Sequence, residues 1–126
     1  MEIETFPNPA PEHDYIIQHI AEEFTSVCPK TGHPDFGKVV VTYVADKRCV
    51  ELKAFKLYLQ GFRNEGIYYE GVLNRIFREM WELLEPRWLR VEMLWNPHGG
   101  IRSNLTHEQR RNGYTPPATP LFGFSR

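Results

Sequence analysis

With 126 residues and a formal net charge of −1, the chain has room for one domain with a modest core, and its charge balance gives no reason to expect nucleic acid or a membrane surface as partner. Its 41% apolar and 25% charged residues suit a soluble globular protein, no apolar run approaches the roughly 18 residues of a membrane span, and the acidic, proline-containing start is not a secretory signal, so the cytoplasm is expected. Two cysteines without a CxxC pair, no HExxH, and five histidines without zinc-like spacing argue against a metal centre.

Tyr15 to Phe24 reads as a first strand. Residues 24–35, Phe-Thr-Ser-Val-Cys-Pro-Lys-Thr-Gly-His-Pro-Asp, are too rich in Pro, Gly and Thr for a regular element. Phe36 to Ala45 is a clearer strand, with Val39, Val41 and Tyr43 on one face and Val40, Thr42 and Val44 on the other. Asp46-Lys47-Arg48 is a polar turn, and Cys49 to Glu51 begins a returning strand. Leu52, Phe55, Leu59 and Phe62 then recur at helical spacing, predicting a helix over about 52–64. A second helix is predicted from about Tyr69 to Leu84, with Leu73, Ile76, Phe77, Met80 and Leu84 as its apolar stripe and Pro86 blocking its continuation. Leu89, Val91, Met93 and Trp95 alternate with Arg90, Glu92 and Leu94 as a half-buried strand. Asn96-Pro97-His98-Gly99-Gly100 is a turn, and Ile101 begins the last strand. The proline-rich ends, residues 1–12 and 112–126, are expected to be loose.

The order strand, strand, helix, helix, strand, strand implies an α+β fold: a four-stranded antiparallel sheet with two helices on one face. The other face is left bare, and several copies closing into a barrel ring would cover it and remove the sheet edges.

Four groups of residues can carry chemistry. Cys28 is a nucleophile if its thiol loses its proton, which the nearby Lys30 would favour; a buried, inert thiol is the alternative, against which the polar, turn-rich setting speaks. Asp35 is either a loop or strand-start acid or, if close to Cys28 and desolvated, a general acid. Lys53 and Lys56 share a helix face and are either solvated or a phosphate clamp. Glu70 is either a favourable charge at a helix start or a carboxylate for two N–H groups of a guanine-like ring. Arg63 and Arg102 are spare cations, and His98-Gly99-Gly100 lets backbone approach a ligand.

Two motifs together resemble the 7-cyano-7-deazaguanine reductases, the nitrile reductases of queuosine biosynthesis. One is Phe24-Thr25-Ser26-Val27-Cys28-Pro29-Lys30-Thr31-Gly32 with Pro34-Asp35. The other is Glu51-Leu52-Lys53-Ala54-Phe55-Lys56-Leu57-Tyr58, which is similar to the family's nicotinamide-cofactor signature; Phe62-Arg63-Asn64 and Glu70 stand at the expected offsets. The resemblance covers about residues 14–104 of a single domain spanning 1–126. It implies the tunnelling fold (ββααββ), shared with GTP cyclohydrolase I, and a homo-oligomer with sites between subunits, a decamer of two stacked pentamers in the short branch. It further implies Cys28 as the thioimide-forming nucleophile and Asp35 as the proton donor. Glu70, Tyr69, Glu51 and Leu52 would meet the substrate. Lys53, Lys56, Arg63, His98, Gly99 and Gly100 would meet NADPH, with no metal, no stable nucleic-acid partner and no membrane. Two positions depart from the family pattern. Tyr69 stands where histidine is usual, and a phenol of pKa near ~10 is a poorer proton shuttle. His98 stands where arginine is usual, which weakens a phosphate contact. Two further readings stay open: a related amidinotransferase that uses the same cysteine on nitrile-bearing transfer RNA with ammonia, and a non-catalytic purine- or pterin-binding module of the same fold.

Overall fold

A computed structural model of the protein describes residues 2–125. The main sheet is antiparallel in the order β2-β3-β5-β6, from β2 (Ile17–Val27), β3 (Pro34–Val44), β5 (Trp88–Trp95) and β6 (Asn104–Arg110). Helices α1 (Leu52–Gln60) and α2 (Tyr69–Leu84) cover one face. Preceding them, β1 (Thr5–Pro7) and β4 (Arg48–Val50) form a separate two-stranded ribbon, and a short helix, α3 (Phe122–Ser125), ends the described chain.

The period-two pattern of β3 sends Val39, Val41 and Tyr43 into the core under the helices, together with Leu89, Val91, Met93 and Trp95 of β5. Val72, Leu73, Ile76, Phe77, Met80 and Leu84 of α2 close over them. That helix stops where Glu85 turns left-handed (φ 45°) just before Pro86, as expected of a residue followed by a ring that blocks helix. Glu51 caps α1: its two carboxylate oxygens accept from the Lys53 and Ala54 N–H groups, each at 2.9 Å.

The structure departs from the expected elements in five places. First, β2 runs to Val27 and carries a bulge between Ala21 and Phe24, where Glu22 and Glu23 oppose Lys38 alone. The extra residue inverts the alternation, so Phe24 and Ser26 point into the helix-covered face. Second, α1 ends at Gln60, because the following turn delivers Glu65 and Ile67 to Val27: Val27 N–H donates to Glu65 O at 2.9 Å and Ile67 N–H to Val27 O at 3.1 Å. Third, the segment after the Asp46 turn pairs with β1, not with β3. Fourth, β6 starts at Asn104, since Ile101 is spent closing a tight turn with His98.

Fifth, the second face of the sheet is not bare. Val40, Thr42, Val44, Trp88 and Leu94 are buried there, and the chain after β6 returns across it. Arg90 Nη1 donates to Thr119 O at 2.8 Å and Pro120 O at 3.3 Å, its Nε donates to Glu108 Oε1 at 3.0 Å, and Glu92 Oε1 accepts the Phe122 N–H at 2.8 Å. At the other end, Asn8 N–H donates to Lys47 O at 3.0 Å. The described ends, expected to be loose, are thus held by hydrogen bonds from buried side chains and backbone, which proline content does not reveal.

Candidate active site

Residues 28–33 form the tip of the β2–β3 hairpin, whose last pair is Val27 with Pro34. Cys28 N–H donates to His33 O and Gly32 N–H donates to Cys28 O, both at 2.9 Å. Gly32 takes φ +74°, which a side chain would disfavour. The half-buried Cys28 thiol is pulled below the usual thiol range, first by the Thr31 hydroxyl and then by the Thr31 and Lys30 N–H groups, against slight desolvation and the nearby Asp35 charge. Lys30 thus contributes through its backbone N–H.

The same hairpin returns Asp35 beside this tip. Its Cα stands opposite Ser26, and the residue is 8% exposed. The Tyr69 hydroxyl donates to Asp35 Oδ1 across 3.4 Å, a long contact. Burial, then Asp35, then Cys28 raise the Tyr69 pKa, so the phenol stays protonated as a donor. Its ring stacks on Trp95, centroids 4.0 Å apart and 7° from parallel.

A cavity of about 240 Å³ opens over these groups, lined among others by Cys28, Asp35, Ile67, Tyr69, Glu70 and His98. Glu70 is exposed at the start of α2, at the positive end of its dipole. His98 reaches the cavity because Gly99 (φ +59°) and Gly100 (φ +81°) close a two-residue turn between it and Ile101, the geometry that needs glycine-like residues. An added Cβ at either glycine would meet nothing within 4 Å, so these glycines serve the turn, and the chain leaves open space beside them. The cavity is small and mostly apolar in lining, with a thiol, a carboxyl, a phenol and a second carboxylate among its residues, which suits a compact heterocycle held by a few polar contacts.

The remaining sequence candidates lie elsewhere. Lys56 and Arg63 line a second hollow, about 470 Å³, between β2 and α1, together with Gln18, Gln60 and the exposed Leu52. Lys53 is exposed on the same helix outside that lining, and both Glu51 oxygens are engaged in the cap, which also lowers the Glu51 pKa. Glu51, Leu52 and Lys53 do not line the cavity beside Cys28. Among the described residues no cluster of His, Cys, Asp and Glu is placed to hold a metal ion, and no helix is long and apolar enough to cross a membrane. Three residues around the site carried no individual signal in the sequence. Ser26 lies inside the cysteine motif, and Trp95 reads as one more core position of β5. Ile67 has no periodic neighbour to mark it.

Comparison with known proteins places these features among relatives. The family model described as QueF-like protein matches residues 34–114. A protein of Rhodopirellula baltica named NADPH-dependent 7-cyano-7-deazaguanine reductase is 55% identical over 103 residues, covering 82% of this chain and 85% of that protein. One of the same name from Nitrosospira multiformis is 46% identical over 123 residues, covering 97% and 88%. A third, from Chlorobaculum tepidum, is 52% identical over 104 residues, covering 82% and 89%. Among solved structures, the apo crystal structure of the archaeosine synthase QueF-Like superposes with a TM-score of 0.71 at 19% identity, covering 80% of this chain and 96% of that one; at that identity the likeness speaks for the fold alone.

Proposed function

The chain belongs to the QueF-like protein family, and on that premise we propose that it reduces the nitrile of 7-cyano-7-deazaguanine to the primary amine with NADPH, as a step of queuosine biosynthesis, through a thioimide on Cys28. One observation carries the reading: the hairpin sets the acidified thiol of Cys28 and the carboxyl of Asp35 in one cavity, with Glu70 at its rim.

The Cys28 thiolate adds to the nitrile carbon. A carbon–sulfur bond forms, one π pair of the triple bond moves to nitrogen, and Asp35, having taken the thiol proton as the thiolate forms, delivers it to that nitrogen. NADPH, when bound, supplies hydride, and two equivalents together with two protons balance the conversion of nitrile to amine. Cys28 leaves the once-reduced carbon as thiolate, pushed out by the nitrogen lone pair, and an imine remains for the second reduction. Tyr69, held neutral, donates to Asp35 and keeps it oriented. Glu70 accepts two N–H groups of the deazaguanine ring.

The hollow between β2 and α1 fits a nucleotide phosphate: Lys56 and Arg63 supply cations, Gln18 and Gln60 supply amides, and Leu52, Phe55 and Leu59 supply an apolar wall. Lys53, His98, Gly99 and Gly100 would add to that grip. On one chain this hollow and the thiol cavity share no lining residue. A homo-oligomer in which a neighbour brings its cation hollow against the thiol cavity, a decamer of two stacked pentamers, unites them, and β2 and β6 are edge strands available for such pairing. Glu51 and Leu52 would reach the substrate across the same junction. The compartment is the cytoplasm, where a nucleophilic thiol stays reduced; both cysteines are free here.

The amidinotransferase alternative would use the same thiol with ammonia, and the superposing archaeosine synthase is far less similar in sequence than the proteins named reductases. Nitrile-dependent oxidation of NADPH, followed with mass spectrometry of the protein, separates them. Turnover in the parent and its loss in Cys28→Ala, with a substrate adduct on Cys28, supports reduction through the thioimide. An adduct without NADPH oxidation points to ammonia-dependent chemistry. Turnover by Cys28→Ala would sink the covalent mechanism.

A further inference from the structure

Gly37 on β3 stands directly opposite Trp95 on β5. A Cβ at Gly37 would sit 2.8 Å from Leu94 O and 3.2 Å from Trp95 Cε3, so the indole lies where the glycine has no side chain. Phe24, turned inward by the bulge, meets that indole edge-on, centroids 5.7 Å apart at 75°. The Tyr69 ring lies parallel to the indole, and its hydroxyl faces Asp35. The indole itself is 1% exposed and does not line the thiol cavity. Its Nε1–H is buried with no hydrogen-bond partner. An orphan donor of this kind is a cost to the folded state.

We propose that Trp95, laid over Gly37, is a positioning residue for Asp35: its indole fixes the plane of the Tyr69 ring and so aims the phenol hydroxyl at the Asp35 carboxyl. This rests on the reading of Asp35 as proton donor. Tyrosine has two side-chain torsions, and a stacked ring surrenders freedom in both. Without the indole the ring tilts, the contact with Asp35 is lost, and the acid is free to rotate away from the nitrile nitrogen. The effect falls on the chemical step, since the indole lines neither the thiol cavity nor the cation hollow and acts through the Tyr69 hydroxyl alone.

The test is steady-state reduction of the nitrile by the full-length oligomer. Trp95→Leu is expected to lower kcat by about tenfold with KM held within about twofold, because loss of orientation acts on the transition state. Trp95→Phe, which keeps a plane and removes the orphan donor, is expected to fold and to lose only about threefold. Combined with Tyr69→Phe, either change is expected to add no further loss, because both act through one hydroxyl contact. Losses that multiply, or a raised KM at parental kcat, overturn the proposal. Should Trp95→Leu not fold, Trp95→Phe alone and with Tyr69→Phe decides by the same criterion. Asp35→Asn separates the two levels. If it is inactive while the Trp95 variants match the parent, positioning by Trp95 falls alone; if it keeps parental kcat, the acid reading and the proposal fall together.

Discussion

Ser26 and Asp35 stand opposite each other in the β2–β3 ladder, both buried, and the Ser26 hydroxyl has no hydrogen-bond partner. The bulge in β2 puts it there by turning an otherwise outward position inward. A buried hydroxyl without a partner is a cost that alanine removes. Ser26→Ala is therefore expected to raise the unfolding midpoint, by the equivalent of roughly 1 kcal/mol. Thermal unfolding checks this, and a lower midpoint would mean that the hydroxyl is paired in the folded protein.

The acidity of Cys28 is held first by the Thr31 hydroxyl. Thr31→Val keeps the shape and removes the donor. The thiol then rises toward its ordinary range, the thiolate fraction at neutral pH falls, and alkylation by iodoacetamide slows about threefold. Raising the pH above the ordinary thiol range is expected to bring the two rates together, since both thiols are then ionised. Equal rates at neutral pH would remove Thr31 from the account of this thiol.

Glu92 is buried under the C-terminal segment. Burial raises its pKa, opposed by the Gly123 and Phe122 N–H groups and by Arg90, while Glu108 adds to the rise. A carboxyl whose folded pKa lies above its unfolded value makes the folded state hold its proton longer, so its contribution to stability falls as pH rises between the two values. In Glu92→Gln that part of the slope is absent. Parent and variant are expected to have the same pH trend at acid pH, below the ordinary glutamate range, and the variant to gain relative to the parent as pH rises above it. Urea unfolding across this range measures the difference; parallel curves throughout would contradict the buried-acid account.

Two glycines predict different costs. At Gly37 an added methyl meets the Leu94 carbonyl oxygen at 2.8 Å, backbone that cannot yield without moving β5, so Gly37→Ala is expected to destabilise by about 2 kcal/mol. At Gly99 there is open space and only a φ of +59°, so Gly99→Ala carries the left-handed penalty alone, about 1 kcal/mol. Denaturant titrations of both variants rank them, and a reversed order would contradict the close approach at Gly37.

The elements legible in the sequence are those whose side chains repeat with a period. Strand β3 and helix α2 read directly, because alternation at two and recurrence at 3.6 are local consequences of burying one face. The motif around Cys28 was legible as a set of residue types. The bulge, the ribbon of β1 with β4, and the C-terminal segment on the second face were not. Each depends on a partner far away in the chain: Lys38 opposite two glutamates, Glu4 O receiving the Glu51 N–H at 3.0 Å, and Arg90 reaching Thr119.

By itself, then, the sequence determined the α+β class, the helix pair, the family, and the thiol and carboxyl seven residues apart on one turn-rich segment. Only the tertiary structure decided that Cys28, Asp35, Tyr69, Glu70 and His98 share one cavity, while Lys56 and Arg63 line another and Glu51 caps a helix. The physical reason is that spacing along a chain sets which face a side chain takes, whereas its neighbours across a sheet are set by register. One inserted residue in β2 was enough to change which side chains meet Trp95 and Asp35.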